Sequence, residues 1–198
     1  MRINIDLSKK SIENAIKQIK TVQKKVQKDL PRVYLEKCVN EIIKLANENL
    51  MATNIGSRVQ SLIQSSWQIS PVVGNKITLS NTAQFEAGKN LAVFVEFGVG
   101  IVGQENSHEL AKEANYQYNV PSSSKKSNGQ WSFGTADNES YMNLERGYYE
   151  TYNFGDGVLT IVTKGSPATL FLYKAWKTFE TTGLYKTLWE QAKAEVIG

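Results

Sequence analysis

The chain has 198 residues, 41% of them apolar, enough to bury one real core, and a single domain over 1–198 is expected. No run approaches the roughly 20 apolar residues that span a bilayer, and the opening MRINIDLSKK lacks the apolar stretch of a secretory signal. One cysteine, Cys38, excludes an internal disulfide and a paired-cysteine metal knuckle, and the formal charge of +4 is modest.

From Ser8, the apolar positions Ile12, Ile16, Ile19, Val22, Val26 and Leu30 keep close to a helical period, with Ser8 as N-cap. Lys9, Lys10, Lys17, Lys20, Lys24, Lys25 and Lys28 crowd this helix, against Asp6, Glu13 and Asp29. Residues 1–30 therefore read as a basic helix, an arm in the domain plan. No aromatic residue interrupts it to stack on bases, so a solvated face is preferred over a DNA-contacting module, which stays as the alternative. Pro31 predicts a break, serving as the first-turn residue of a second helix with the stripe Val33, Tyr34, Cys38, Ile42, Leu45 and Leu50. A short helix from Ser57 is expected to turn Val59, Leu62 and Ile63 inward.

The period then changes. Trp67 and Ile69, followed by Ile77 and Leu79, alternate around Gly74 and Asn75, a hairpin signal, and Pro71 places that strand on an edge or at a bulge. Residues 116–120 and 130–133 are expected to pair across the polar loop PSSSKKSNG. Residues 104–157 form an aromatic excursion with Trp131, Phe133, Tyr141, Tyr148, Tyr149, Tyr152 and Phe154, and 158–163 is a clear strand. A helix carrying Phe171, Leu172, Ala175, Trp176 and Phe179 follows, and after Gly183 a last one carries Leu184, Leu188, Trp189 and Val196. The plan is α+β: long N-terminal helices, a small mostly antiparallel sheet with a long insertion, and a C-terminal helix packed on the sheet.

LAVFVEFGVGIVG, residues 91–103, holds Gly98, Gly100 and Gly103 in the GxGxxG spacing of a dinucleotide-binding turn. Such a turn must join a parallel strand to a helix, with an acidic residue about twenty positions on to hold the ribose. Counting on from Gly98 lands in NVPSSSKKSN, which has none. The structural alternative makes Gly98 the residue that ends a short helix of Leu91, Phe94, Val95 and Glu96, or one that follows a strand. Glu96, alone between Val95 and Phe97, faces solvent or makes a specific contact across an interface.

The only histidine, His108, sits in QENSHEL, a polar helix start where capping explains it better than a triad. Glu96, Glu109, Glu139, Glu145 and Asp156 include no pair that spacing singles out for acid–base work. No Walker loop, GxSxG or HExxH is present, so no catalytic residue, cofactor or metal is expected, and the chain does not read as an enzyme. The spread of tyrosines is what a protein–protein contact uses, or else side chains folded over their own sheet.

Two stretches together resemble the neck or tail-completion proteins, minor tail components of long-tailed lambdoid-type bacteriophages. In the first, Val95, Glu96, Phe97, Gly98 and Gly100 match V-E-F-G-x-G, with Val99 where threonine is common. In the second, Lys164, Gly165, Pro167, Ala168, Phe171 and Leu172 match T-K-G-x-P-A-x-x-F-L, with Leu170 where a second proline is usual. The resemblance covers residues 32 to 180. It implies a virion protein that closes with copies of itself into a ring, a hexamer, between head-closure and tail-terminator or tail-tube proteins, genomic DNA passing through the lumen. Its place would be the virion neck, and the host cytoplasm during assembly, with no membrane partner. The resemblance also implies that Gly98 caps a short helix, that GSP is the turn setting the last helix against the sheet, and that Pro167 lies in that helix's first turn. Tyr148, Tyr149 and Tyr152 join the two motifs as interface candidates.

Overall fold

The computed structural model describes residues 8–84, 90–118, 131–135, 149–153, 159–163 and 165–198. The fold is α+β. Helix α1 (Lys9–Lys24) starts at Ser8, whose hydroxyl accepts from the Ser11 N–H at 3.3 Å. Pro31 does not break the chain's helix. A π-helical turn, Lys25–Asp29, carries α1 directly into α2 (Leu30–Met51), and Leu30 keeps helical dihedrals with its N–H on the Lys25 carbonyl. A proline inside a helix lacks one N–H, and its ring crowds the carbonyl four residues back. The widened turn just ahead of Pro31 is a place where the helix accommodates both without ending.

Helix α3 (Ser57–Ser65) buries Ile63 completely, with Val59 half-buried, but Leu62 is 41% exposed and does not face inward as its spacing had indicated. Strands β1 (Trp67–Ile69) and β2 (Leu79–Asn81) form the expected hairpin, Gly74 supplying the positive φ of the turn. The Ser70 N–H donates to the Thr78 carbonyl, while Val73 bonds reciprocally with Lys76. The register slips by one residue between these pairs, so the arm holding Pro71 carries a bulge.

Helix α4 (Leu91–Phe97) is capped by Asn90, whose side chain accepts from the Val93 N–H at 3.1 Å, and α5 (Gly100–Glu105) follows after Val99. Strands β3 (Trp131–Thr135), β4 (Tyr149–Asn153) and β5 (Leu159–Thr163) form an antiparallel sheet in the order β3-β5-β4. β3 pairs with β5, Phe133 opposite Ile161; of the partner expected for it, 116–120, Tyr116 to Tyr118 form no strand and 119–120 lie outside the described residues. A short strand β6 (Gly165–Ser166) precedes α6 (Phe171–Thr181) and, after Gly183 in the left-handed region, α7 (Leu184–Ile197). No described helix is long and apolar enough to cross a membrane.

The chain divides into two compact units, residues 1–44, 69–79 and 177–198 in one and 45–68 and 80–176 in the other. The core of the first joins Leu30 and Val33 to Ala192 and Val196 of α7, with Tyr34 edge-on to Trp189 at 5.2 Å. Cys38 is buried there, as a small apolar residue would be. The core of the second gathers Ala46, Leu50, Ile63, Ala83, Leu91, Ala92, Val95, Phe171 and Ala175. Trp67 of β1 lies 6.4 Å from the Phe171 ring and donates its indole N–H to Asn47, which ties the start of α6 to the hairpin. Trp176, placed on the apolar stripe by its spacing, is half exposed.

Candidate functional site

The most connected polar cluster among the described residues lies where α4 ends and α6 begins. A helix leaves its last carbonyls and first N–H groups without partners inside the helix. At the end of α4, the Phe94 carbonyl is taken by the Gly98 N–H, and Gly98 holds φ at +76°, a value that suits a residue without a side chain. The Val95 carbonyl accepts from the Thr169 N–H at 3.1 Å and hydroxyl at 2.7 Å, and the Glu96 carbonyl from the Leu170 N–H at 3.3 Å. The start of α6 is satisfied in return by Glu96. Its Oε2 accepts from the Leu172 N–H and its Oε1 from the Tyr173 N–H, both at 2.9 Å. Leu170, in the N-cap place, has no side-chain acceptor, and a carboxylate 76 residues before Leu172 does that work, favourably placed at the positive end of the helix.

Glu96 therefore neither faces solvent nor reaches across an interface: it is 7% exposed, and its contacts lie within the chain. His108 does accept a backbone N–H close by in sequence, as a capping residue would, but it is buried. It is 3% exposed, and its Nε2 lies 3.1 Å from Glu96 Oε1. Its Nδ1 accepts from the Leu110 N–H at 2.9 Å, so the network assigns the proton to Nε2, which donates to the carboxylate. The Phe97 ring is sandwiched between His108 at 4.5 Å and Tyr116 at 4.8 Å, and Tyr173 meets His108 edge-on. The Tyr116 hydroxyl donates to the Gly98 carbonyl at 2.6 Å, and the Tyr118 hydroxyl accepts from the His108 N–H.

Around this cluster the two glycine-bearing stretches run side by side. Val99 bridges Ser166 and Gly100 bridges Gly165. A Cβ on Gly98 would stand 2.6 Å from the Ala168 nitrogen, and one on Gly103 2.8 Å from the Gly98 carbonyl carbon. The glycines of the GxGxxG stretch serve close backbone approach, and the apolar run before them is helix α4, where a dinucleotide fold needs a parallel strand. Of the residues singled out in the sequence, Val95, Glu96, Phe97, Gly98, Gly100, Gly165, Pro167, Ala168, Phe171 and Leu172 all fall in this junction or directly beneath it. Pro167 lies in the extended stretch before α6, not in the first turn of that helix, which starts at Phe171. Tyr149 and Tyr152 stand on β4 opposite Thr163 and Thr160. Tyr148, Lys164, Glu139, Glu145 and Asp156 lie outside the described residues. Among the described residues no group of three or more His, Cys, Asp or Glu is placed to hold a metal, and Glu109 is exposed.

Sequence reasoning missed His108, Tyr116, Tyr118, Thr169 and Tyr173. The available signal was a vacancy: an apolar residue in the N-cap place of a helix demands an acceptor from elsewhere. No protein-family model, curated protein or solved structure matches the chain.

Two predictions arise here. Leu170 holds φ at +58°, which proline cannot adopt, and its N–H is bonded, so Leu170→Pro is expected to destabilise the chain by about 3 kcal/mol or more in urea unfolding. Burial pushes the Tyr116 phenol from its ordinary 10.0 up to about 12, with Tyr118 beside it adding to the rise. A group whose folded pKa is raised contributes stability that is whole below its unfolded pKa and is lost as pH climbs through the folded one. Stability should therefore fall between pH 10 and about 12, and Tyr116→Phe should flatten part of that fall. Urea midpoints below and within that window, compared for the two proteins, check it.

Proposed function

We propose that this chain is a structural component of a tailed-phage virion, a neck or tail-completion protein that closes with its own copies into a ring, a hexamer, joining head connector to tail tube. One observation carries the reading. The two stretches whose residues resemble that family are far apart in sequence, yet they pair strand to strand at Val99–Ser166 and Gly100–Gly165 and cap each other's helices through Glu96, Thr169 and Leu170. Motif residues that support one another physically are what a shared scaffold requires, and chance matches at two separate places would have no reason to meet.

The junction also favours a structural role over chemistry. Both oxygens of Glu96 are taken by N–H donors in a buried setting, and His108 has a partner on each ring nitrogen. A closed ring needs one patch of each subunit to meet a different patch of the next. Exposed Trp189 and Tyr185 on α7 are residue types that serve such contacts. The test is genetic. Disrupting the gene in the phage that encodes it should leave filled heads and complete tails unjoined in electron micrographs, with joining restored when the purified chain is added. Normal infectious particles formed without the chain would overturn the proposal.

A further inference from the structure

The chain's first helix leaves a helix-packing seam uncovered. Ile12, Ile16, Ile19, Gln23, Val26, Leu30 and Val33 follow one another at alternating spacings of four and three residues, the a/d pattern of a coiled coil, with Gln23 as the one polar seam position. At its lower end the seam is used within the chain. Leu30 and Val33 are buried against Ala192 and Val196 of α7, and the ion pair beside them joins Lys37 to Glu195 of α7 at 2.9 Å. The covering helix there is apolar and supplies an acid to a lysine.

Above Leu30 the seam is open: Ile12 is 42% exposed, Ile16 47%, Ile19 52% and Val26 39%. Single exposed apolar residues are ordinary, but three isoleucines on successive turns in one line are a patch. The two flanks differ. On one, Ala15 is buried and Val22 half-buried, so the chain itself covers that edge. On the other, Glu13 and Lys20 border the seam, with Lys10, Lys17 and Lys24 in a row beyond them at seven-residue spacing, so lysines outnumber the one acid there, and none of these lysines enters a described ion pair.

We propose that this open seam, Ile12 to Ile19 and Val26 on α1 and the turn that follows it, docks an amphipathic helix of another protein, apolar along its own a/d line and flanked by Asp or Glu, packed as a short coiled coil. Charge complementarity selects this occupant. A second copy of the same helix brings lysines where carboxylates are wanted. Duplex DNA would leave the isoleucines uncovered. A lipid surface matches a helix with cations on both borders and an aromatic anchor, whereas here the lysines hold one border and no aromatic is present. The inference does not rest on the virion reading, since it concerns the surface of α1 alone.

The test uses the full chain and two labelled synthetic helices of three heptads, with Ile at a and Leu at d, one with Glu and one with Lys at e and g. In about 50 mM salt the Glu peptide should bind at least about tenfold more tightly than the Lys peptide, the preference shrinking at about 0.5 M. Ile16→Ser with Ile19→Ser, exposed positions that leave the fold intact, should weaken the Glu peptide about tenfold at unchanged circular dichroism. Lys17→Glu, Lys20→Glu and Lys24→Glu together should reverse the preference. Equal binding of the two peptides, or Glu-peptide binding indifferent to either set of changes, would overturn the proposal. So would isoleucine-dependent self-association, or binding to duplex DNA or phosphatidylglycerol vesicles, in place of peptide binding.

Discussion

Gly165→Ala is expected to destabilise the chain by about 3 kcal/mol or more, among the largest single losses available to it. Gly165 holds φ at +114°, a region that residues with a Cβ scarcely populate. The added carbon would also drive into the Val99 carbonyl oxygen and lie 2.8 Å from its carbon, both backbone atoms that cannot swing aside. Relief requires parting β6 from the 99–100 segment, which gives up the Gly100 and Ser166 bridges and pulls on the capping of α6. Gly183→Ala is the control. Its φ of +72° is also left-handed, but nothing lies within 4 Å of the new carbon, so only the backbone term remains, about 1–2 kcal/mol. Urea unfolding of the two variants separates clash from strain. Equal losses would mean that backbone strain alone sets the cost at Gly165 and that the approach of Val99 adds nothing.

The elements with local signals were legible in the sequence. Ser8 caps α1, Gly74 turns the hairpin, residues 159–163 make a strand and Gly183 separates two helices, as spacing and turn chemistry indicate. What failed to show was non-local. Pro31 argues for a break only if the helix cannot widen, and the π-helical turn depends on how the flanking helices are held. The partner of β3 was misplaced because an antiparallel match can be drawn with any nearby alternating run, while the actual partner lies beyond β4 in sequence. His108 looked polar and peripheral because its neighbours Ser107 and Glu109 are exposed, and its burial comes from Phe97 and Tyr173. Glu96 was conspicuous as one charge among apolar residues, but its partners are backbone N–H groups, which no residue type advertises.

Glu96→Ala tests that hidden pairing most sharply. It removes the acceptor of three donors at once, the Leu172 and Tyr173 N–H groups and His108 Nε2–H, in a site 7% exposed. Leaving a buried donor unpaired costs about 1–3 kcal/mol each, so a loss of about 4 kcal/mol is expected after partial relaxation. Glu96→Gln should cost less, about 2 kcal/mol, because one oxygen still accepts while the amide N–H faces a donor. That conflict has no easy escape. His108 would have to move its proton to Nδ1, where the Leu110 N–H already points. His108→Phe should fall between neutrality and the Gln variant, since Glu96 keeps both helix contacts and the ring stack on Phe97 survives. Because Glu96 and His108 share a bond, Glu96→Ala with His108→Phe should cost less than the two changes summed, by about 1 kcal/mol or more. Hydrogen exchange at the Leu172 and Tyr173 amides should quicken in Glu96→Ala, yet stay slow in His108→Phe. A loss under about 1 kcal/mol in Glu96→Ala, with those amides still protected, would mean that water replaces the carboxylate as cap and that the link between α4 and α6 rests on Thr169 and Leu170 instead.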